Sequence, residues 1–317
     1  MNSPTGTTRR IACIGEAMAE LRIGQRTEDP VELGFAGDTL NTAIYLKRLF
    51  GTSAEVAFVS VLGRDPLSRR MHKFIESERI STRDLSQSDD RLIGLYAIET
   101  DDSGERTFSY WRNQSAARTL FQKENETDFS CLAGYDVLCL SAITLAILPH
   151  EVRQQLIDEL NRLRREQLTS VVFDSNYRPV LWESVEEARQ TVARAWQACD
   201  IALPSVDDEQ HLYGDPDEAS VVSRLYSYGI TRGALKRGSK GPLLLSGQGI
   251  DSPAALDIST LPAVEVVDTT AAGDSFNAGY LHALLSGASE MESVLAGHQC
   301  SVRVIAHKGA IIPREIW

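Results

Sequence analysis

The chain has 317 residues, 43% of them hydrophobic and 24% charged, enough for one large or two modest domains with a substantial core. A formal net charge of −12 argues against general affinity for nucleic acid or an anionic membrane, although a local field can still attract an anionic small molecule. Five scattered cysteines without a CxxC pair, a polar start "MNSPTGTTRR" and the lack of any apolar run of about 18 residues predict a soluble cytoplasmic chain with reduced thiols.

"RIACIG" reads as a strand, and "DTLNTAIYLKRLFG" as a helix starting at Asp38 and stopping at Gly51. "EVAFVSVLG" and "YDVLCLSA" are near-continuous apolar runs, the pattern of strands buried on both faces. "PHEVRQQLIDELNRLRRE" predicts a helix and "TSVVFD" a strand. A helix from about Glu183 to Ala198 follows, then the strand "CDIALP". "TRGALKRGSKGPLLLSGQG" reads as two strands around a glycine-bearing turn, and "AVEVVD" as a strand ending at Asp268. Two helices close the chain, about Asp274–Ser286 and Glu290–Ala306. This alternation predicts an α/β, doubly wound, mostly parallel sheet with helices on both faces.

Two segments break the rhythm, at about residues 17–36 and 92–112, where strand-like alternation is interrupted by turn residues. "ETDDSGERT" is a hairpin signal with Asp102, Ser103 and Gly104 near its tip. Within a single domain spanning 1–317 these segments are expected to form a small β-sheet lid over one end of the main sheet. Surface hairpins without a role are the bland alternative. Unpaired lid edges would suit a dimer or larger homo-oligomer.

Familiar nucleotide fingerprints are absent: there is no GxxxxGK[ST], and "SGQGID" lacks the third glycine of GxGxxG. No HExxH, His/Cys cluster or GxSxG occurs either. Four other signals remain. In "DTTAAGDSFNAGYL", small residues run into a helix, so outward-facing amides and the helix dipole could hold a phosphoryl group. Asp274 beside them reads equally as a helix cap and as a proton acceptor. In "FAGDTLN", Gly37 allows close backbone approach, while Asp38 and Asn41 can bind sugar hydroxyls; Asp38 as an ordinary cap is the more economical reading. Arg178 in "FDSNYRPVLW" and Arg112 in "YWRNQSA" could clamp a carboxylate, against a default of surface ion pairing. "KRGSKG" has Gly238 and Gly241 for a tight turn over nucleotide phosphates, or for a plain hairpin.

Together these segments resemble the ribokinase-like (pfkB-type) carbohydrate kinases. "DTTAAGDSFNAG" is similar to their DTxGAGDxFxxG signature and "AGDTLN" to their GGxxxN motif, and the resemblance spans essentially the whole chain. Within the family, "GLYAIETDDSGERTFSYWRN", "FDSNYRPVLW" and "KGAIIPRE" resemble members that act on a keto-deoxy sugar acid.

The resemblance implies ATP-dependent phosphorylation of a 2-dehydro-3-deoxy hexonate at its C6 hydroxyl, with Asp274 as base. Backbone amides of Ala271, Ala272 and Gly273 would form the anion hole. Gly37, Asp38, Asn41, Tyr96, Tyr110, Arg112 and Arg178 would bind the substrate. Asn176, Arg178 and the loop residues Lys236, Gly238, Ser239 and Gly241 would contact ATP. Mg²⁺ is expected on the ATP phosphates and waters, and a monovalent cation is compatible with the family.

The sequence departs from the pattern at Ala271 and Ala36, where glycines are usual, and at the family's NxxE element, here Ser205 and Asp208 with Glu209 next to it. Another sugar kinase of this type, such as a fructokinase, is the nearest alternative. A non-catalytic sugar-binding regulator is an alternative of another class, and a nicotinamide-dependent oxidoreductase ranks last.

Overall fold

The apolar runs become strands because both their faces are covered. In the computed structural model, which describes residues 8–24, 26, 28–100, 106–124, 126–246 and 254–317, the chain begins with β1 (Arg9–Ile14), β2 (Met18–Ile23) and β3 (Glu32–Ala36). Next come α1 (Asp38–Phe50), β4 (Ala54–Leu62), α2 (Pro66–Ser77), β5 (Leu85–Gln87), β6 (Gly94–Thr100) and β7 (Arg106–Trp111). A two-residue pair, β8 (Gln122–Lys123) and β9 (Glu126–Thr127), precedes β10 (Val137–Ser141), α3 (Ala142–Ile147), α4 (His150–Arg165) and β11 (Ser170–Asp174). After α5 (Val185–Ala198) lie β12 (Ile201–Ala202), α6 (Val206–Tyr213), α7 (Glu218–Ser227), β13 (Arg232–Leu235) and β14 (Leu243–Ser246). The last helices are α8 (Ala272–Leu285) and α9 (Glu290–Ile305).

The main sheet has eight strands in the order β14-β13-β12-β11-β10-β1-β4-β5, all neighbours parallel except the antiparallel pair β13/β14. One buried apolar cluster fills each face: Ile14, Leu138, Leu140 and Phe173 pack with α4 and α5, and Ile11, Cys13, Val56 and Phe58 pack with α1 and α8. From β1 the chain moves outward through β4 in one direction, and returns through β10 in the other. The order therefore reverses between β1 and β10, where α/β sheets open a ligand crevice at their carboxyl edge.

The segments 17–36 and 92–112 supply a second sheet, β3-β2-β6-β7, in which Leu95 faces Trp111 and Met18 faces both Ala36 and Gly94. The hairpin tip at Asp102, Ser103 and Gly104 lies outside the described residues. One face of this sheet, with Met18, Ala36, Tyr96 and Ile98, packs on Ala271, Ala310 and Ile311 at the crevice.

Most expected elements are present within a few residues of their predicted ends. "AVEVVD" is a correction: it forms no strand. Val264, Val266 and Val267 stay exposed, and the amides of Val267 and Asp268 both donate to the Ile305 carbonyl at the end of α9. The run is apolar enough for a strand, but no sheet edge receives it. The helices α2, α3, α6 and α7 are additional to the predicted elements. Among the described residues no helix is long and apolar enough to cross a membrane.

Candidate active site

Parallel strands deliver their carboxyl ends to one edge of the sheet. Ser141 and Asp174 end β10 and β11 as register partners there. The start of α1 reaches the same place because residue 37 is glycine: a Cβ on it would stand 2.2 Å from the Glu16 carbonyl oxygen. Gly37, and not Asp38, precedes the helix as its cap. That leaves the Asp38 carboxylate free of capping duty, and its Oδ2 accepts hydrogen bonds from the Ser141 hydroxyl at 2.5 Å and from Asn176 Nδ2 at 2.8 Å. One turn along, the buried Asn41 donates from Nδ2 to Oδ2 of Asp274 at 2.8 Å. Thr42 joins the same two segments, its hydroxyl lying 3.1 Å from the Asp38 carbonyl and 3.2 Å from that of Asp274.

The start of α8 has an unusual construction. Its cap, Ala271, takes the left-handed conformation (φ 61°, ψ 18°) and offers no side-chain hydrogen bond to the helix. The Ala272 amide donates to Thr269 at 3.1 Å, while the amides of Ala271, Gly273 and Asp274 have no hydrogen-bond acceptor among the described residues. A helix end left open in this way carries the positive pole of the dipole. Asp274 is the third helical residue, and its carboxylate turns away from the helix to Asn41. Packing around the carboxyl, and then the charge of Asp38, push its pKa up to about 8 against the Asn41 hydrogen bond. A carboxylate poised near neutrality beside unpaired amides has the features of a general base at an anion site.

A cavity joins Asp274 to Asp38, Thr42, Ser141, Asp174 and Asn277. The structure thus brings Gly37, Asp38, Asn41, Asn176 and Asp274 together. Sequence reasoning missed Ser141, Asp174 and Asn277. The available signals were the strand-terminal positions of the first two, and the place of Asn277 one turn after Asp274 on the same helix face.

The remaining expected residues surround this centre. Lys236 follows β13, and its side chain runs inward, with Nζ 2.7 Å from Asp174 Oδ2 and 3.1 Å from Asn277 Oδ1. Gly238 and Gly241 have positive φ of 55° and 75° and frame a turn containing Ser239. Arg178 is half exposed, 3.3 Å from Asp208 Oδ1. Burial raises the Asp208 pKa against the pull of Arg178. Glu209 is turned elsewhere: it is fully buried, its Oε2 accepting from Arg224 Nη1 of α7 at 2.9 Å. Burial pushes Glu209 up to about 7 in spite of that guanidinium. At the edge of the second sheet buried Arg112 pairs with Glu16, and within it the Tyr96 hydroxyl donates to Glu20, two acids absent from the sequence reading. Tyr96 stacks on the half-exposed Tyr110 with ring centroids 5.8 Å apart. Among the described residues no group of three or more His, Cys, Asp or Glu side chains gathers as a metal cage.

A family model for the pfkB family carbohydrate kinases matches residues 8–317. The chain belongs to the pfkB family. It is 42% identical over 313 residues to the 2-dehydro-3-deoxygluconokinase of Escherichia coli, covering 97% of this chain and 98% of that one. Among solved structures it resembles a PfkB protein from Polaromonas, with TM-score 0.79 and 24% identity over 95% of this chain and 96% of that one. It also resembles the aminoimidazole riboside kinase of Salmonella enterica, solved with aminoimidazole riboside and an ATP analogue, with TM-score 0.76 and 22% identity over 95% of each chain. As a member of the pfkB family, this chain is a sugar kinase, a phosphotransferase. The Asp274 cluster is built from the two stretches that resemble the pfkB signatures.

Proposed function

We propose that the chain transfers the γ-phosphoryl group of ATP to the C6 hydroxyl of 2-dehydro-3-deoxy-D-gluconate. The observation that carries this reading is Asp274, fixed by Asn41 beside the open amides of α8, in a chain 42% identical to a kinase of that name. Asp274 takes the proton of the attacking hydroxyl, the oxygen bonds to the γ-phosphorus, and the bond to the ADP oxygen breaks. The open amides of Ala271 and Gly273, with the Gly273 N–H foremost, meet the charge on the transferring group, while the expected third donor, the Ala272 amide, is taken up by the Thr269 carbonyl.

Asp38, Gly37 and Asn41 bind sugar hydroxyls, with Asn176 bridging from Asp38 toward the nucleotide side. The second sheet acts as a lid, closing Tyr96 and Tyr110 over the sugar. Arg112, held by Glu16 at the base of the lid, and Arg178 supply the cations that an acid substrate can pair with and a neutral sugar cannot. The turn of Gly238, Ser239 and Gly241 lies along the nucleotide, with Lys236 at the phosphates. Mg²⁺ supplies charge neutralisation on the phosphates when bound, and Asp208 is the acid at this edge that could order one of its waters.

A coupled ADP-release assay over a panel of acceptors tests the reading. The keto-deoxy gluconate should give the highest kcat/KM, and its galactose-configured epimer a lower one. A strong preference for fructose would overturn the assignment.

A further inference from the structure

Lys236, Asp174 and Asn277 form a closed buried triangle behind Gly273. Asp174 Oδ2 accepts from Lys236 Nζ at 2.7 Å and from Asn277 Nδ2 at 2.6 Å, and Lys236 Nζ reaches Asn277 Oδ1 at 3.1 Å. The side chains of Lys236 and Asp174 are each only 12% exposed. The ammonium has three N–H donors and two acceptors in the triangle, so one donor has no partner among the described residues. A Cβ on Gly273 would lie 3.4 Å from Nζ, which puts the ammonium against the open end of α8. A loop lysine that merely brushed a nucleotide would not need a buried carboxylate and a buried amide to hold it.

We propose that Asp174 and Asn277 are positioning residues that fix the Lys236 ammonium beside Gly273, where its spare N–H meets an oxygen of the transferring phosphoryl group and its charge offsets that of the neighbouring acids around Asp274. The inference rests on the kinase reading above and deepens it. Three elements bring charge or titratable groups to Asp274: α1 brings Asp38 and Tyr45, β11 brings Asp174, and the segment after β13 brings Lys236, while Cys139 of β10 lines the same cavity. Lys236 works against the two aspartates, lowering the proton affinity of Asp274 where they raise it. A mobile lysine could not do this reliably. One locked by Asp174 and Asn277 can.

The test uses Lys236→Met, Lys236→Arg and Asp174→Asn in the full chain, read in two ways. In steady-state kinetics, Lys236→Met should lose roughly 100-fold in kcat, the scale of removing one preorganised donor, with KM for the sugar acid within a few-fold. Lys236→Arg should recover part of that loss. In the ligand-free protein, carboxyl-¹³C NMR follows the titration of Asp274 itself. Its midpoint should move up in Lys236→Met, which removes a cation. Asp174→Asn removes an anion but also unlocks the lysine, so it should lower the midpoint clearly in the Lys236→Met background and less, or not at all, in the parent. A midpoint that stays put in Lys236→Met, or an equal downward move from Asp174→Asn with and without Lys236, would overturn the proposal. If Asp174→Asn does not fold, the Lys236 variants alone decide, since they keep Asp174: an unmoved midpoint with unchanged kcat defeats it. The NMR arm needs no acceptor sugar, so failure of the substrate assignment in the acceptor panel leaves this test standing.

Discussion

At the start of α2, Asp65 bends its carboxylate back onto its own helix. Its Oδ1 accepts from the amides of Leu67 at 2.9 Å and Ser68 at 3.1 Å, and its Oδ2 from the Ser68 hydroxyl. At the start of α8, Asp274 sits inside the first turn and does the reverse, turning to Asn41 and leaving the amides of Gly273 and Asp274 open. The protonation consequences diverge. Burial would raise Asp65, but the Ser68 and Leu67 hydrogen bonds outweigh it and hold the carboxyl below its usual range. At Asp274 burial is reinforced by Asp38 and prevails, bringing the pKa to about 8. An acid beside a helix start is therefore uninformative until one knows whose donors it satisfies.

The largest expected effect follows from this contrast. Asp274→Asn keeps the shape and can still meet Asn41, yet it cannot accept the proton. Its kcat should fall by roughly 10³-fold with KM for the sugar acid little changed, since general-base assistance is worth about 10²–10⁴-fold. Steady-state kinetics with both substrates varied measure it, and turnover within ten-fold of the parent (about 1.4 kcal/mol) would remove Asp274 from the mechanism. Asp65→Asn should leave kcat untouched.

Much of this was legible in the sequence, and the illegible part has physical causes. The apolar runs "EVAFVSVLG" and "YDVLCLSA" announced buried strands, and Gly51 stops α1 as expected, whereas its cap is Gly37 and not Asp38. The conformation of Ala271 was half legible. A glycine is usual there, and the residue does adopt φ 61°, so the position retains its left-handed requirement although the glycine is gone. Long-range pairing was not legible. Nothing in "VVFDSN" or "GDSFNAG" says that Asp174 and Asn277, 103 residues apart, share a hydrogen bond. Nor could adjacency in sequence separate Asp208, at the crevice edge, from Glu209, which the next step of the helix carries to Arg224.

The two aspartates should also oppose each other in how stability follows pH. Asp65 has a folded pKa below its unfolded value near 3.8, so its contribution is full above that value and is lost as pH falls through the lower, folded one. Asp274 has a folded pKa raised from 3.8 to about 8, so its contribution is full below the first value and is lost as pH rises through the second. Urea titrations of the parent and Asp274→Asn should therefore show the parent losing ground steadily from about pH 4 to about pH 8. Against Asp65→Ala, the parent should lose ground only on the acid side. Parallel curves in both comparisons would break the contrast.

A smaller effect is expected from the cap itself. Asp65→Ala removes the acceptor for two amides of α2 and should cost about 1 kcal/mol of unfolding free energy in urea, with kcat per folded molecule unchanged. A loss of activity that tracked the stability loss would show only partial folding, and a loss exceeding it would mean that α2 communicates with the crevice.

The smallest effect sharpens the other side. The α8 terminus has no side-chain cap to lose, but it holds one alanine in the left-handed region, which costs about 1–2 kcal/mol relative to a comfortable backbone. Ala271→Gly relieves that strain, and the added freedom of glycine in the unfolded chain takes back about 0.4–1 kcal/mol. The net expectation is a gain of about 0–1.6 kcal/mol, with kcat preserved because the amide positions do not change. The opposing possibility is specific: the Ala271 methyl packs on the cluster of Met18, Tyr96 and Ala310 beneath the second sheet. A net destabilisation would mean that this contact outweighs the strain, and that alanine replaces glycine here to dock the second sheet onto the start of α8.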